Sequence, residues 1–431
     1  MTYQFTAEVF QNQFLPQGAK EVHAIMTVTA GSEGLQTPTG GKIFGIICDV
    51  SGSMSGEGKI HAAKNAMISL VNLLPEDTYF FIITGSTKAN VIFPPSAANF
   101  DHKKRAIAAI KEVQASGGTC ISRWLKLALE QFKNTFNSGK IPPNSIRQAL
   151  LLTDGQNDDA DTEPLYQILA SCEGKFQCDC RGVGTDWQVK QLQLISSKLL
   201  GTTDIIREPS LIEADFQAIL QKAMTKNISD VTLRLWHPQG AKIKFCKEVS
   251  PEIVDLTNRS QQTKPQVSDY PTGAWGQNES RDYHFCIEVI PGNVGDEMLA
   301  GRASLIYREN GAENKIAEAK ILAIWTDDDM KSTKLDKRVA HYTGQAELAQ
   351  SIQEGLEARD RGNIEIATVK LGKAVKLAHD SGNESTAKLL RKVVDVEDAA
   401  TGTIKLKRNV SKEDTMTLET RSTKTTRIPK S

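Results

Sequence analysis

The stretch KIFGIICDVSGSMSG, residues 42–56, decides the fold class of this chain. Its first half is an apolar run that ends at Asp49, and a loop rich in Ser and Gly follows. Such a run is typical of a strand buried on both faces of a parallel sheet. The loop after the strand then lies at the carboxyl edge of the sheet, where open α/β sheets bind their ligands.

Further apolar runs follow the first, and amphipathic stretches of helical period separate them. The strand-like runs are TYFFIITG (78–85), RQALLLTDG (147–155), FQCDCRGVG (176–184) and TDIIRE (203–208). Helices are predicted near residues 59–74, 102–114, 121–136, 163–172, 187–200 and 213–226. The alternation predicts an α/β fold of the Rossmann type, a central and mostly parallel sheet flanked by helices, over residues 38–227.

The residues on either side of this domain have the pattern of antiparallel strands. The segment 1–37 contains two β-like runs, and 228–326 contains several more, separated by Pro, Gly and Asn. This pattern predicts an antiparallel β-sandwich, with the N-terminal strands belonging to it. The α/β domain is then an insertion in the sandwich, which is plausible where the two ends of the insert lie close together.

The C-terminal part is predicted to be helical and then unstructured. Residues 335–400 have the pattern of a small helical hairpin or bundle, similar to one tetratricopeptide-like hairpin, with breaks at Gly362-Asn363 and at 381–383. Residues 401–431 are polar, charged and rich in Thr, so we expect a flexible tail. Accessible threonines suit kinases, and the candidates for phosphorylation are Thr415, Thr417, Thr420, Thr423, Thr425 and Thr426.

Composition argues against several classes of partner. The chain has 52 Lys+Arg and 52 Asp+Glu, so no net charge attracts nucleic acid or an anionic membrane.

The seven cysteines of the chain are odd in number and scattered along it, which favours a reducing compartment over a disulfide framework. The N-terminal residues lack a signal-peptide pattern, and no run is long and apolar enough to span a membrane. We therefore expect a cytoplasmic protein that neither binds nucleic acid nor spans a membrane.

Hard oxygen donors follow three of the predicted elements. Asp49 ends a strand, with Ser51 and Ser53 in the loop after it; Thr119 follows two glycines in SGGTCIS; and Asp154 ends another strand in LLLTDG. Carboxylate and hydroxyl oxygens are the ligands that Mg²⁺ prefers, in near-octahedral geometry. The sequence predicts that these five side chains meet around one cation, Mg²⁺ or alternatively Mn²⁺ or Ca²⁺.

This combination, DVSGS with a later GGT and TDG, resembles the metal-ion-dependent adhesion site of von Willebrand factor A domains, with each position of the motif present. The resemblance covers about residues 38–227. It implies that the protein holds the metal incompletely and that a partner's Glu or Asp completes its shell. Hydroxyl ligands donate less charge than carboxylates, which agrees with a cation that still attracts an anionic oxygen. Taken whole, the chain is similar to bacterial cytoplasmic A-domain proteins linked to Ser/Thr kinases and forkhead-associated (FHA) domains.

Several other segments resemble functional sites only in part. SMSGEGK lacks the first Gly and the Ser/Thr of a phosphate-binding loop, and Ser51 stands where a haloacid dehalogenase would have its acid. Cysteines in the strand near residue 180 favour core packing over zinc binding. None of the seven histidines has ligand spacing with another. For the acidic run Asp158, Asp159 and Asp161, a solvated loop is preferred over a second cation.

We therefore expect a non-enzymatic interaction protein that binds a carboxylate-bearing protein through the cation, with a tail open to phosphorylation by a Ser/Thr kinase. Two alternatives remain. The first is a substrate adaptor for an AAA+ ATPase of the MoxR or chelatase kind. The second is a metal-dependent hydrolase or phosphatase, which needs a base or nucleophile that the sequence does not nominate.

Overall fold

The computed structural model describes residues 5–31, 41–142, 144–309 and 312–428. The chain divides into two compact units. One comprises Thr37–Ser229 with Gly273–Gly276, and the other comprises Met1–Gln36, Asp230–Thr272 and Gln277–Ser431. The first residues predicted for the α/β domain, 38–40, and the last three of the predicted tail lie outside the described residues.

The described residues form strands β1 to β19 and helices α1 to α11. The strands are β1 (Phe5–Gln11), β2 (Phe14–Pro16), β3 (Glu21–Ala30), β4 (Lys42–Asp49), β5 (Thr78–Gly85), β6 (Ala89–Ala97), β7 (Ile146–Thr153), β8 (Gln177–Val183), β9 (Thr203–Ile206), β10 (Lys226–Trp236), β11 (Lys242–Ser250), β12 (Val254–Asp255), β13 (Gln261–Lys264), β14 (Val267–Gly276), β15 (Ser280–Glu288), β16 (Glu297–Glu309), β17 (Ala312–Thr326), β18 (Val394–Asp398) and β19 (Thr403–Leu406). The helices are α1 (Lys59–Leu73), α2 (Phe100–Lys111), α3 (Ile121–Asn137), α4 (Thr162–Cys172), α5 (Val189–Lys198), α6 (Ile212–Met224), α7 (Asp329–Ser332), α8 (Lys337–Asp360), α9 (Ile364–Asp380), α10 (Glu384–Val393) and α11 (Lys412–Arg421).

The α/β unit contains one six-stranded sheet in the order β6-β5-β4-β7-β8-β9. All neighbouring strands are parallel except the pair β5 and β6. β4 lies in the centre, and from Ile43 to Asp49 it is buried. One face of the sheet packs on α1, α2 and α6 through a continuous apolar cluster that includes Phe44, Phe80 and Phe216. The predicted α/β fold is confirmed.

The second unit contains two mainly antiparallel sheets. Their strand orders are β1-β3-β15-β11-β12 and β13-β14-β10-β16-β17-β2. β3 pairs along its length with β15, so the N-terminal strands share a sheet with strands more than 200 residues later. β17 contacts β1 and β3, which brings the two sheets together around a shared interior.

The helices α8, α9 and α10 are separated at the two breaks that the sequence predicts. Asn363 and Asn383 cap α9 and α10, each accepting a hydrogen bond from a backbone N–H three residues on. Gly362 and Gly382 precede them with φ of 74° and 64°, the left-handed conformation that glycine adopts without strain. The predicted C-terminal helical segment is confirmed.

The expectation of a flexible tail from residue 401 onward is wrong. β19 pairs with β18 across the predicted boundary, and α11 begins at a Ser411 cap and buries Met416 and Leu418. Leu418 joins the same apolar cluster as Leu348 of α8. Composition counted the many charges of this segment but could not show that Met416 and Leu418 are buried against other parts of the chain.

None of the helices within the described ranges combines the length and apolar character needed to cross a lipid bilayer.

Candidate metal centre

The carboxyl edge of the parallel sheet brings Asp49 and Asp154 together. β4 and β7 are neighbours in parallel register, with Cys48 opposite Leu152, so the residues that follow these partners emerge side by side. The loop before α3 is tied to the same place, because Gly52 N–H donates to Gly117 O at 2.8 Å and Ser116 N–H donates to Val50 O at 2.7 Å. Three separate parts of the sequence therefore meet at this edge.

Asp49 is fully buried and held at both carboxylate oxygens. Its Oδ1 accepts from the backbone N–H of Ser51 at 2.7 Å, and its Oδ2 accepts from Thr153 Oγ1 at 2.5 Å. Burial raises the pKa of Asp49 to about 6, although the hydrogen bonds from Thr153 and Ser51 act in the opposite direction. The ionised carboxylate is thus poorly stabilised by the protein alone and stands to gain from a nearby cation.

Three hydroxyl groups converge beside Gly155. A Cβ placed on Gly155 would lie 3.2 Å from Thr119 Oγ1, 3.3 Å from Ser53 Oγ and 3.8 Å from Ser51 Oγ. Ser51 Oγ and Ser53 Oγ are 2.9 Å apart, and Ser53 Oγ donates to Asp154 Oδ1 at 2.6 Å. The structure therefore brings all three predicted hydroxyls to one small region next to the predicted carboxylates.

Lys59, the first residue of α1, is a member of this cluster that sequence reasoning missed. Its Nζ donates to Asp154 Oδ2 at 2.9 Å, and both side chains are buried. Burial lowers the pKa of Lys59, but the hydrogen bond and charge of Asp154 outweigh it and raise the pKa overall. The available signal is the Gly-Lys pair in SGEGK, which follows directly on the loop of Ser51 and Ser53 and resembles part of a phosphate-binding loop.

The acidic run after Asp154 has mixed roles. Asp158 and Asp159 are exposed, as expected for a solvated loop. That interpretation is wrong for Asp161, which is buried and accepts from the backbone N–H and the hydroxyl of Ser122 in the first turn of α3. A carboxylate at a helix N-terminus accepts hydrogen bonds from free backbone N–H groups and interacts favourably with the helix dipole. Asp161 therefore anchors the start of α3, two residues after Thr119.

The threonines proposed for phosphorylation lie in an ordered segment. Thr417 and Thr420 are buried in α11, so the expectation that they are accessible is wrong. Two others are engaged by hydroxyl hydrogen bonds: Thr425 Oγ1 donates to Val249 O at 2.7 Å, and Thr426 Oγ1 accepts from Gln345 Nε2 at 2.7 Å. Thr415 and Thr423 are half-buried, as Thr425 and Thr426 are, and the hydroxyl of Thr415 donates to Ser411 O at 3.3 Å at the start of the same helix.

The fold and this edge define an α/β domain that presents clustered carboxylate and hydroxyl oxygens where such sheets bind ligands. Family comparison agrees: the von Willebrand factor type A domain matches residues 45–205, and the von Willebrand factor type A C-terminal domain matches residues 376–422. The second match includes α11, in keeping with an ordered C-terminal segment.

Solved structures extend the likeness to the full chain. A von Willebrand factor type A protein from Catenulispora acidiphila is 42% identical, with a TM-score of 0.92 over 99% of this chain and 98% of that one. The chain belongs to the von Willebrand factor type A family. The ArnB paralog VWA2 from Sulfolobus acidocaldarius shares the fold, at 15% identity and a TM-score of 0.59 over 98% of each chain.

Among curated sequences, human inter-alpha-trypsin inhibitor heavy chain H4 is 29% identical over 215 residues, which are 48% of this chain and 22% of that protein. The chain spans half or less of the length of the curated relatives it matches.

Proposed function

We propose that this chain binds a partner protein through a divalent cation at the sheet edge, and that the partner supplies an Asp or Glu carboxylate. The observation that carries the proposal is the convergence of three hydroxyl oxygens beside Gly155, next to two buried carboxylates. The residues that would hold the cation are Asp49, Ser51, Ser53, Thr119 and Asp154. Relatives with the same domain support a protein-interaction role in general.

The donor set fits a hard cation. All five side chains offer oxygen, which suits Mg²⁺ and also Mn²⁺ or Ca²⁺, and none offers the sulfur or imidazole nitrogen that a soft metal prefers. When bound, the cation would supply an electrophilic position that an external carboxylate can occupy. The chain's own residues hold the carboxylates: Thr153 donates to Asp49, and Lys59 pairs with Asp154 when no cation is bound.

A non-enzymatic role is part of the proposal. Hydrolysis would need a general base with a free lone pair directed at a substrate. Both buried carboxylates at this edge already accept hydrogen bonds at both of their oxygens, Asp49 from Ser51 and Thr153, and Asp154 from Ser53 and Lys59. Each carboxylate oxygen keeps a second lone pair that can bind a cation. A carboxylate that binds a cation is a weak base, which supports a role in holding the cation over one in abstracting a proton.

The test has two stages that use the same variants. Mn²⁺ binding to the purified chain, followed by electron paramagnetic resonance, is expected to give one tight site that Asp49→Ala abolishes and Asp159→Ala leaves unchanged. Asp159 is a suitable control because it is an exposed carboxylate in the segment that follows the neighbouring strand β7. Partner capture is then compared with Mg²⁺, with EDTA, and with each variant. A partner retained in EDTA and by Asp49→Ala would overturn the proposal.

We also propose that a Ser/Thr kinase phosphorylates the C-terminal segment at Thr415 or Thr423, and that an FHA-domain protein binds the phosphorylated threonine. This restriction is supported by the burial of Thr417 and Thr420 and by the hydroxyls of Thr425 and Thr426, which are bonded to Val249 and Gln345. Mass spectrometry of the kinase-treated folded chain tests which threonines are modified, since phosphate at buried Thr417 instead would contradict the proposal.

We also propose that the protein is cytoplasmic. This is supported by its seven cysteines, all of which are unpaired.

A further inference from the structure

A second cluster of metal-ligating side chains lies in the sandwich unit, on the sheet that contains β3 and β15. His23 of β3 is the register partner of Cys286 of β15. Glu21 lies two residues before His23, and His284 lies two residues before Cys286, so all four side chains project from the same face of the sheet. The carboxylate, imidazole and thiol are thus neighbours by strand register and not by chance contact of long side chains.

The three atoms nearest one another form an almost equilateral triangle. His23 Nε2 lies 3.7 Å from Glu21 Oε2 and 3.7 Å from Cys286 Sγ, and Cys286 Sγ lies 3.8 Å from Glu21 Oε2. In a tetrahedral zinc site the metal–nitrogen distance is about 2.0–2.1 Å and the metal–sulfur distance about 2.3 Å, which separates the ligand atoms by about 3.4–3.6 Å. The triangle therefore matches one face of such a tetrahedron to within a few tenths of an ångström.

Neighbouring side chains orient two of the three ligands. His23 Nδ1 is 3.2 Å from His284 Nε2, and when His284 accepts this hydrogen bond, the lone pair of His23 Nε2 faces Glu21 and Cys286. Lys244 Nζ binds the other carboxylate oxygen, Glu21 Oε1, at 2.5 Å and leaves Oε2 directed at the cluster. A histidine ligand held by a second residue at its other nitrogen is the usual arrangement in protein metal sites.

We propose that Glu21, His23 and Cys286 form a zinc site with three protein ligands, positioned by His284 and separate from the oxygen cluster at Asp49. On binding, the Cys286 thiol gives its proton to solvent as the sulfur–metal bond forms. The side chains of Glu21 and His23 are 45% and 32% exposed, which leaves the fourth coordination position on the solvent side.

Cobalt substitution distinguishes this site from the oxygen cluster, because only a thiolate ligand gives a sulfur-to-cobalt charge-transfer band. Titration of the full chain with Co²⁺ is expected to give this band with one equivalent, and Zn²⁺ is expected to displace it. Cys286→Ser and His23→Gln should abolish the band, and His284→Phe should weaken zinc binding about 10–100-fold. Half-buried His23 makes His23→Gln the safer variant should Cys286→Ser fail to fold.

Two controls complete the experiment. Cys246 is a buried cysteine on the adjacent strand β11 whose register partner is Phe285, so it points to the opposite face from Cys286; Cys246→Ser should keep the band. Asp49→Ala should keep it as well. Absence of the band in the unaltered chain, its persistence in Cys286→Ser, or its loss from folded Cys246→Ser or Asp49→Ala would overturn the proposal.

Discussion

The guanidinium of Arg427 forms two hydrogen bonds with the carboxylate of Asp282, from Nε to Oδ2 at 3.0 Å and from Nη2 to Oδ1 at 2.9 Å. Asp282 is fully buried on β15, and it also accepts from Tyr342 Oη and Thr27 Oγ1. A buried carboxylate needs such partners, because losing one leaves its charge incompletely compensated. The last described residues of the chain thus complete a polar network inside the sandwich unit.

Arg427→Ala is expected to lower the free energy of unfolding by about 1–3 kcal/mol, since two charge-assisted hydrogen bonds to a buried group are lost. The arginine side chain is 34% exposed, which keeps the loss below that of a fully buried pair. Urea denaturation of the full chain measures it. Arg408→Ala, at an exposed arginine, should change stability by less than about 0.5 kcal/mol. Equal stability of the two variants would mean that Arg427 does not support Asp282.

Asp49→Asn is expected to stabilise the metal-free protein at neutral pH. The folded-state pKa of Asp49 is raised from 3.8 to about 6 by burial, so folding favours the protonated form. The stability that this preference contributes is present below about pH 4 and is lost as pH rises through about 6. Since a pKa difference of one corresponds to about 1.4 kcal/mol, the variant should gain about 2–3 kcal/mol at pH 7.

Denaturation in EDTA from pH 3.5 to 8 measures this effect, with the gain of Asp49→Asn vanishing at the acid end. Asp159→Asn, at an exposed carboxylate, should follow the unaltered chain throughout. A gain that is the same at about pH 4 and pH 7 would show that ionisation of Asp49 is not its cause. Added Mg²⁺ should reverse the order at pH 7, because only ionised Asp49 gains from the cation.

Lys59→Met is expected to act in opposite directions on stability and on metal binding. In EDTA the variant leaves buried Asp154 without its cationic partner, which should cost about 3 kcal/mol. In the presence of Mg²⁺ the ammonium no longer opposes the cation, so affinity should rise by about tenfold or more. Calorimetric titration measures the affinity. Lys64→Met is the control, because Lys64 Nζ binds Lys111 O and not Asp154. Weaker Mg²⁺ binding by Lys59→Met would show that Lys59 serves mainly to orient Asp154.

The α/β alternation could be read from the sequence because buried parallel strands are continuous apolar runs, of which β4 is the clearest. β6 was not predicted. Its sequence ANVIFPPSA contains Pro94 and Pro95, which argue against a central strand, but β6 is an antiparallel edge strand, where proline is tolerated. The order of α11 was not predicted because the composition of a segment does not show whether its few apolar residues, here Met416 and Leu418, pack against other parts of the chain.

A site whose residues each follow a local signal could be predicted from the sequence, whereas a cluster that depends on strand register could not. Asp49, Ser51 and Ser53 all lie within residues 49–53. Thr119 follows two glycines, and Asp154 follows an apolar strand. His23 and Cys286 are 263 residues apart and meet only through the register of β3 with β15. The available signal was the alternation Glu-x-His in one strand and His-x-Cys in another, which requires strand pairing to be known before it indicates a cluster.

Gly155→Ala tests the convergence of hydroxyls most directly. The added Cβ would lie 3.2 Å from Thr119 Oγ1 and 3.3 Å from Ser53 Oγ, closer than most carbon–oxygen contacts, so the two hydroxyls must move apart by a few tenths of an ångström. Because a hard cation needs its oxygen ligands within a narrow range of distances, Mg²⁺ affinity should fall about tenfold or more, while the melting temperature in EDTA changes by only a few degrees. Gly344→Ala is the matched control, because a Cβ on Gly344 meets nothing within 4 Å, and it should leave Mg²⁺ binding unchanged. Unaltered Mg²⁺ affinity in Gly155→Ala would show that the cation lies away from Thr119 and Ser53. The partner carboxylate that binds the cation would then also lie elsewhere.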